Sequence, residues 1–213
     1  AIGANYTFSD GRKQKAGTIG NVGTTSFFPS KNLGCYGDGG AIFTNNDELA
    51  HILRGIVNHG MYKRYYHDVV GVNSRLDSIQ AGVLKAKLIK LDEYCNSRRN
   101  AARFYNKAFA NHSAIITPTA KSNATPNCEE ICDVCDCHVF HQYTLQITNG
   151  KRNELHKHLL DIGIPNAIYY PVALHSQKAY RDTRYKESDF PTTNLLIDTV
   201  ISLPMHTELD KEQ

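Results

Sequence analysis

The chain has 213 residues, of which 41% are hydrophobic and 21% are charged, a composition that excludes disordered and collagen-like proteins. Its formal charge of +3 is small and its lysines and arginines are scattered, so the sequence does not favour a nucleic-acid or acidic-membrane partner. It contains no apolar run near the roughly 18 residues of a membrane span, and its first residues do not resemble a signal peptide.

In the first part of the chain, the pattern predicts short extended elements followed by one helix. The first 25 residues are rich in glycine and polar residues, which is typical of loops and short extended pieces. A β-rich run predicts a strand over 24–28, and a second short run predicts another over 41–44. Apolar residues at helical spacing, after an Asn-Asn-Asp helix-start signal, predict a helix over 48–58.

The strongest helical pattern of the chain comes next. Residues 74–77, Ser-Arg-Leu-Asp, fit a capping box, which predicts that a helix begins there. Apolar residues recur at helical spacing over 76–91, and the pattern could continue over 99–109. The sequence leaves two possibilities open, one long helix or two helices separated by a kink.

The remainder of the chain alternates between strand-like and helix-like patterns. It predicts a strand, an amphipathic helix, a second strand and a short helix, over 139–147, 151–162, 167–172 and 194–200. This β-α-β order predicts a small α/β domain over residues 112–213.

The most informative segment for function runs from Ser26 to Gly40. It places Lys31 between a predicted strand end and a glycine-rich turn, five residues after the hydroxyl of Ser26. A lysine in a loop is usually a solvated surface residue. A lysine that forms a Schiff base instead needs a site with little water and small neighbours, which Gly37 and Gly39 would supply. The pattern alone leaves both interpretations open.

This segment closely resembles the lysine motif of the DegT-type (DnrJ/StrS-like) sugar aminotransferases, which are pyridoxal 5′-phosphate (PLP) enzymes of fold type I. Other stretches resemble further blocks of that family in the same order along the chain. They are residues 1–6, 58–60, 70–77, 163–164, 169–175 and 203–206. The resemblance implies an α/β fold with the end of the large-domain α/β/α sandwich over 1–73, connecting helices over 74–111 and the small domain over 112–213.

The same resemblance implies a longer protein. The family's aspartate that pairs with the pyridine nitrogen of PLP, a nearby glutamine and the aromatic residue that stacks on the ring would all precede Ala1. We therefore expect the full protein to be longer by more than about a hundred residues, as the size of the family's members implies. Whether this chain is active by itself stays open.

Residue roles follow from the resemblance. Lys31 would be the catalytic residue, binding PLP through its amine and moving a proton to and from the substrate carbon. Ser26 and Asn73 would bind the phosphate of PLP, with Asn73 reaching the neighbouring subunit of a homodimer that shares its active sites. Arg75 would face the same partner site and bind an acidic group of the substrate. The candidate sugar contacts are His59, Tyr169, Tyr170 and His175.

Each of these residues also has an ordinary structural interpretation. Asn73 is typical of a turn, the two adjacent tyrosines are typical of strand packing, and the two histidines are typical of polar loops. The ordered set of family blocks is what favours functional roles for them.

The implied activity is transfer of an amino group from glutamate to a nucleotide-linked keto-sugar for surface polysaccharide synthesis, such as lipopolysaccharide O-antigen. Residues 27–40, 65–68 and 72–75 are most similar to members that act on UDP-linked 3-keto-N-acetyl-hexuronic acids, whose carboxylate would suit Arg75. One alternative substrate is a dTDP-linked 3- or 4-keto-6-deoxyhexose. An alternative of another class is a non-catalytic fragment or a cysteine-rich metal-binding module.

Four of the six cysteines form a cluster, Cys128, Cys132, Cys135 and Cys137. They offer enough thiolates for a tetrahedral zinc site, but the spacing lacks two Cys-x2-Cys knuckles, and His138 and His141 fall where the resemblance implies a core strand of the family. We interpret them as reduced thiols in a surface loop and keep zinc as the alternative. Since thiols stay reduced in the cytoplasm, we expect a cytoplasmic protein.

Overall fold

The computed structural model of the chain describes residues 1–120, 136–210 and 212. These residues form a mixed α/β structure, as the sequence predicts. Within the described part, no helix combines the length and the apolar character that crossing a membrane would require.

The chain divides into two compact units. The first contains the described residues 1–96 and 136–139, and the second contains residues 97–120 and the described residues from 140 onward.

Short antiparallel strand pairs form the sheets of the first unit, β1 with β2, β3 with β4 and β5 with β6. In chain order the strands are Asn5–Thr7, Lys13–Lys15, Gly23–Ser26, Gly40–Phe43, Met61–Lys63 and Tyr66–His67. The strands predicted over 24–28 and 41–44 are confirmed in position, although β3 already ends at Ser26. Ser26 pairs with Gly40, so the residues between them form a closed connection between two paired strands.

Helix α1, Asp47–Val57, confirms the helix predicted over 48–58. Asn46 caps this helix, because its side-chain oxygen accepts a hydrogen bond from the Leu49 amide at 3.0 Å. Two acidic residues in the first turn complement the positive end of the helix dipole. Local side-chain signals therefore define where α1 begins.

The next helical region consists of two helices, α2 (Ser78–Leu88) and α3 (Leu91–Phe109), which resolves the choice that the sequence leaves open. The helix start predicted at 74–77 is wrong. Asp77 is the residue that caps α2, and its carboxylate accepts a hydrogen bond from the Ile79 amide at 2.7 Å.

The segment before α2 is held to the end of α1. The Val72 amide donates to the Ile56 carbonyl at 2.8 Å, and the Ser74 amide donates to the Val57 carbonyl at 2.9 Å. These bonds hold the backbone of residues 72–74 against α1, and α2 begins four residues after Ser74, at Ser78.

The core of the first unit gathers side chains from the described residues of strands, loops and helices. Its buried members are Ala4, Phe27, Leu33, Cys35, Leu84, Leu91, Cys95 and Val139. Three of these come from the connection between β3 and β4, so this connection is built into the core rather than lying over the surface.

The second unit is built on an antiparallel sheet in the order β7-β8-β9. Its strands are Ile115–Ile116, Tyr143–Ile147 and Val200–Leu203. Helix α4 (Arg152–Asp161) packs beside β9 and confirms the helix predicted over 151–162, and α5 (Pro191–Thr199) packs beside β8. Single 3₁₀ turns are formed by Leu174–Ser176, Lys178–Tyr180 and Glu187–Asp189.

The strand predicted over 139–147 begins only at Tyr143. The guanidinium of Arg98 donates hydrogen bonds to the carbonyls of Phe140 at 3.2 Å and His141 at 3.1 Å. These carbonyls therefore bond to a side chain instead of a neighbouring strand, and the first part of the prediction is wrong.

Two other predictions in this unit need correction. Of the strand predicted over 167–172, only Ala167 pairs with another described residue, exchanging backbone hydrogen bonds of 3.1 and 2.8 Å with Ser202. The helix predicted over 194–200 is present as α5, but it begins earlier, and Val200 already belongs to β9. Pairing with β8, more than fifty residues away, decides this boundary.

Candidate active site

Lys31 lies in the connection between β3 and β4, here called the lysine loop and defined as residues 27–39. Its backbone amide donates to the Phe28 carbonyl at 2.8 Å, which forms a turn, and its side chain is half-buried. The four residues that follow, 32–35, are buried. Lys31 is thus followed directly by the buried part of its loop, residues 32–35, which is anchored in the core.

The two ends of the lysine loop meet at Phe27. The Phe27 amide donates to the Gly39 carbonyl at 2.7 Å, and its carbonyl accepts from the Cys35 amide at 2.8 Å. The thiol of Cys35, which is 0% exposed, lies 3.0 Å from the carbonyl oxygens of both Phe27 and Gly37. These bonds close the loop on itself behind the lysine.

Two glycines of the loop, Gly34 and Gly39, are constrained by the packing of the protein itself. A Cβ at Gly34 would lie 2.4 Å from the Pro29 carbonyl oxygen, which is a backbone clash. A Cβ at Gly39 would lie 3.0 Å from both the Cys35 sulfur and a Leu76 methyl group. Gly39, which the sequence predicts as a small neighbour of a bound ligand, is therefore also needed for close packing within the protein.

Ser26 ends β3 and lies at the exposed surface. Its hydroxyl oxygen accepts a hydrogen bond from the Phe28 amide at 3.2 Å. An oxygen that accepts in this way keeps its own proton for donation to a ligand. Ser26 and Lys31 thus belong to one local structure, the end of β3 and the turn that follows.

A second group of predicted residues lies beside the end of α1. Asn73 forms an isolated antiparallel bridge with Asn58, and its side-chain oxygen accepts from the Arg75 guanidinium at 3.1 Å. The His59 amide donates to the Val72 carbonyl at 2.9 Å. Asn73, Arg75 and His59 are therefore brought together, and the side chains of Asn73 and Arg75 are exposed.

His59 has a backbone φ of 61°, and it is followed by Gly60 with a φ of 73°. This left-handed pair turns the chain between α1 and β5. A Cβ at Gly60 would lie 1.7 Å from the Val69 carbonyl oxygen, so glycine is required there. The turn fixes where His59 lies relative to the segment that carries Asn73.

A cavity of about 970 Å³ opens on the first unit. It is lined by β3, β4, α1 and residues 74–76, and Arg75 is among its lining residues, whereas neither Ser26 nor Lys31 is. Arg75 therefore lines this large cavity, whereas Lys31 does not.

The remaining predicted sugar contacts belong to the second unit. The rings of Tyr169 and Tyr170 meet edge to face at 5.5 Å, and both are exposed. His175 stacks on Phe190 at 4.2 Å and lines a pocket of about 420 Å³, to which Arg181 also contributes.

Of the cysteine cluster, Cys128, Cys132 and Cys135 lie outside the described residues. Cys137 is half-buried. Over residues 1–120, 136–210 and 212, no group of three potential metal ligands comes together. The zinc alternative thus stays a prediction for the three cysteines that are not described.

Sequence reasoning missed the residues that hold the lysine loop from outside. Gln80 accepts a hydrogen bond from the Tyr36 amide at 2.7 Å, and Lys87 donates to the Gly34 carbonyl at 2.8 Å. Cys35 lies within the segment from Ser26 to Gly40, but its position in the sequence predicts no role for it. Its chemistry offers one signal, since cysteine is among the most buried residue types and is unexpected in an exposed loop.

This chain is similar to several solved structures, two of which serve as examples. A DegT/DnrJ/EryC1/StrS aminotransferase from Brucella abortus is 36% identical, with a TM-score of 0.81 over 100% of this chain and 52% of that chain. DesV from S. venezuelae is 35% identical, with a TM-score of 0.82 over 99% of this chain and 52% of that chain. The profile of the DegT/DnrJ/EryC1/StrS aminotransferase family matches residues 1–213, and the chain belongs to this family.

Among characterised relatives, the UDP-2-acetamido-2-deoxy-3-oxo-D-glucuronate aminotransferase of Pseudomonas aeruginosa is 39% identical over 99% of this chain and 52% of its own length. The UDP-N-acetyl-3-dehydro-α-D-glucosamine 3-aminotransferase of Acidithiobacillus ferrooxidans is 40% identical over 94% and 50%. A dTDP-3-amino-3,4,6-trideoxy-α-D-glucose transaminase of Streptomyces venezuelae is 37% identical over 100% and 51%. The chain thus spans about half the length of these relatives.

Proposed function

We propose that this chain provides the lysine and the small domain of a PLP-dependent aminotransferase of fold type I. In this proposal, glutamate donates an amino group to a UDP-linked 3-keto-N-acetyl-hexuronic acid in the cytoplasm. The observation that carries the proposal is the position of Lys31, half-buried on a closed loop directly after the strand that ends with Ser26. Family membership and the Pseudomonas relative supply the reaction and substrate class.

The residues present suit the cofactor. Lys31 offers a primary amine with limited exposure, and the hydroxyl of Ser26 can donate to a phosphate. When bound, PLP would supply the electron sink that amino-group transfer requires. The protein would contribute the amine that binds it, the donors that hold its phosphate and the exclusion of water.

Lys31 would have two tasks. It must present a neutral amine to the cofactor, because an ammonium group has no lone pair with which to form a bond. Once displaced by the amino substrate, the same Nζ can take a proton from the reacting carbon and return it. Both tasks require that the nitrogen lie at one place, which a loop closed by several hydrogen bonds can provide.

Asn73 and Arg75 would serve a second copy of the chain in a homodimer. Their mutual hydrogen bond and their exposure support this assignment, since the pair is ordered and yet available to a neighbour. The planar guanidinium of Arg75 can bind a carboxylate through two parallel bonds, which suits a hexuronate. His59, Tyr169, Tyr170 and His175 are the proposed sugar contacts.

The proposed domain limits are 1–73 for the end of the large domain, 74–111 for the connecting helices and 112–213 for the small domain. The open cavity along β3, β4 and α1 supports the first of these. In relatives of twice this length, the part that this chain does not match could cover such a surface.

Borohydride trapping tests the proposal. The protein is incubated with PLP, reduced and digested, and each lysine is examined by peptide mass mapping. We expect a phosphopyridoxyl adduct on Lys31 that disappears in Lys31→Ala and persists in the control Lys15→Ala, which alters an exposed lysine of β2. Labelling of other lysines without Lys31 would reject the proposal.

A second candidate substrate is a dTDP-linked 3-keto-6-deoxyhexose, which the Streptomyces relative favours. Formation of 2-oxoglutarate from glutamate, measured with each sugar nucleotide in turn, separates the two. The variant Arg75→Gln separates the two substrates further. Of the two sugar nucleotides, only the hexuronate carries a carboxylate that the Arg75 guanidinium can bind. Preference for the dTDP sugar, unaffected by Arg75→Gln, would replace the hexuronate with the deoxyhexose.

A further inference from the structure

One face of α2 contacts the lysine loop through side chains. The Tyr36 amide donates to the side-chain oxygen of Gln80 at 2.7 Å. The ammonium group of Lys87 donates to the Gly34 carbonyl at 2.8 Å and lies 5.1 Å from the centre of the Tyr36 ring. Two backbone groups of the loop that face α2 thus find their partners on this helix.

The contacts follow the helical repeat. Gln80, Leu84 and Lys87 are separated by four and three residues, so they lie on one side of α2. Leu84 is buried in the same core cluster as Leu33 and Cys35. A polar contact therefore lies on each side of an apolar anchor, and the whole stripe faces the loop.

The contact of Lys87 is the stronger of the two polar ones in kind. Its donor is charged and its side chain is half-buried, and hydrogen bonds with a charged donor are stronger than neutral ones. Its acceptor belongs to Gly34, the residue at which a side chain would strike the Pro29 carbonyl. The bond therefore holds the loop at its most tightly packed point.

We propose that Gln80 and Lys87 are positioning residues for Lys31. This inference rests on the proposed role of Lys31 as the amine that binds the cofactor. Neither residue needs to touch the cofactor or the substrate: they hold the carbonyl of Gly34 and the amide of Tyr36, and through this backbone they set the position of Lys31. The loop is thereby fastened from outside by α2 and from inside by the Cys35 thiol.

The first test uses the protein without added cofactor. Each lysine is acetylated with a limiting amount of acetic anhydride, and the rate at each residue is obtained by peptide mass mapping. We expect Lys87→Met and Gln80→Leu to raise the acetylation rate of Lys31 several-fold, with about tenfold for the charged contact. Lys87→Arg, which keeps a charged donor, should restore most of the difference.

The matched control is Lys85→Met. Lys85 lies on the same helix two residues earlier and is exposed, so its substitution changes the charge without reaching the loop. Acetylation of Lys15, on β2, serves as an internal reference for folding. A variant that has lost its fold would raise the rates at both lysines, whereas a loosened loop raises the rate at Lys31 alone.

The second test adds PLP and measures the rate of borohydride-trappable labelling at Lys31. We expect Lys87→Met to slow this labelling while acetylation of the same nitrogen becomes faster, because the amine is more accessible but less well placed. If Lys87 only stabilises the fold, Lys87→Met would lower the melting temperature and leave both rates at Lys31 unchanged. That result would overturn the inference.

The two tests separate this inference from the proposed function. If PLP labels Lys31 neither in this chain nor in the longer protein that the resemblance implies, the aminotransferase proposal fails, and the acetylation rates still decide whether α2 positions the lysine. If PLP labels Lys31 equally in the unaltered protein, Lys87→Met and Gln80→Leu, the proposed function stands and the positioning role is rejected.

Discussion

The lysine loop and the segment from His59 to Arg75, here called the outer segment, lie in the same unit but differ in burial: the lysine loop has a buried stretch between exposed residues, whereas the outer segment is exposed over almost its whole length. In the lysine loop, Cys35 is 0% exposed and residues 32–35 are all buried. In the outer segment, Val70 is 98% exposed and Tyr65 is 75% exposed. The backbones of both are fixed by hydrogen bonds.

This difference separates two demands on an enzyme of this class. A residue that forms a covalent bond with a cofactor must be held in one position, so part of the loop that carries it is packed into the core. A residue that recognises a substrate or a second subunit must stay available, so its backbone is fixed while its side chain is exposed. The comparison predicts that changes in the loop act on stability and changes in the outer segment act on binding.

The largest expected effect is that of Gly34→Ala. The added Cβ would lie 2.4 Å from the Pro29 carbonyl oxygen, so the loop must open, at a cost of about 3 kcal/mol in the free energy of unfolding. Denaturant unfolding followed by circular dichroism measures it. In the control Gly82→Ala, the Cβ meets nothing within 4 Å on helix α2, and we expect a gain of about 0.5 to 1 kcal/mol. Equal changes in the free energy of unfolding at Gly34 and Gly82 would contradict the comparison.

Arg75→Gln should show the opposite pattern. Because Arg75 is exposed, we expect the free energy of unfolding to change by less than about 0.5 kcal/mol. The value of kcat/KM for a hexuronate substrate should fall by about thirtyfold or more, since the carboxylate loses a charged partner. A keto-sugar without a carboxylate provides the control. A large loss of stability in this variant would show that the guanidinium supports the fold.

A smaller effect is expected for Asn46→Ala, which removes the cap of the helix that anchors the outer segment. The lost hydrogen bond to the Leu49 amide should cost about 1 kcal/mol in the free energy of unfolding. Asn46→Asp keeps an accepting oxygen and should recover most of that loss. Unfolding curves of the two variants, measured side by side, check this; no difference between them would show that the cap contributes nothing.

The smallest effect is expected for Tyr65→Ser, at the exposed turn between β5 and β6. We expect a change of less than about 0.5 kcal/mol in the free energy of unfolding, because little contact area is lost within the chain. The proportion of dimer, measured by analytical ultracentrifugation, indicates whether this side chain contributes to association. A loss of stability near that of Gly34→Ala would contradict the comparison.

The sequence predicts those elements whose signals are local. Helix α1 follows directly from its Asn46 cap and its apolar spacing. The predicted start of α2 is wrong because Ser74 and Asp77 are both residue types that cap helices well, and the local pattern does not distinguish between them. Strand β9 was missed because its partner β8 lies more than fifty residues earlier.

The same distinction applies to the candidate site. Lys31 and Ser26 are candidates because both fall within one short segment that resembles the lysine motif of the family, and their roles stay predictions. Gln80 and Lys87 could not be identified from the sequence, because polar residues on a helix usually face solvent and their partners lie more than forty residues away in the chain. Only the folded structure shows that this polar stripe faces a loop.

The regular spacing of the α2 contacts limits how the length of this region can change. Inserting one residue between Gln80 and Lys87 would rotate the second contact by about 100° around the helix axis and move it away from Gly34. By contrast, the turn at Arg64 and Tyr65 is exposed and could accommodate added residues. In alignments of related chains, gaps should therefore accumulate at that turn and be rare between residues 76 and 87.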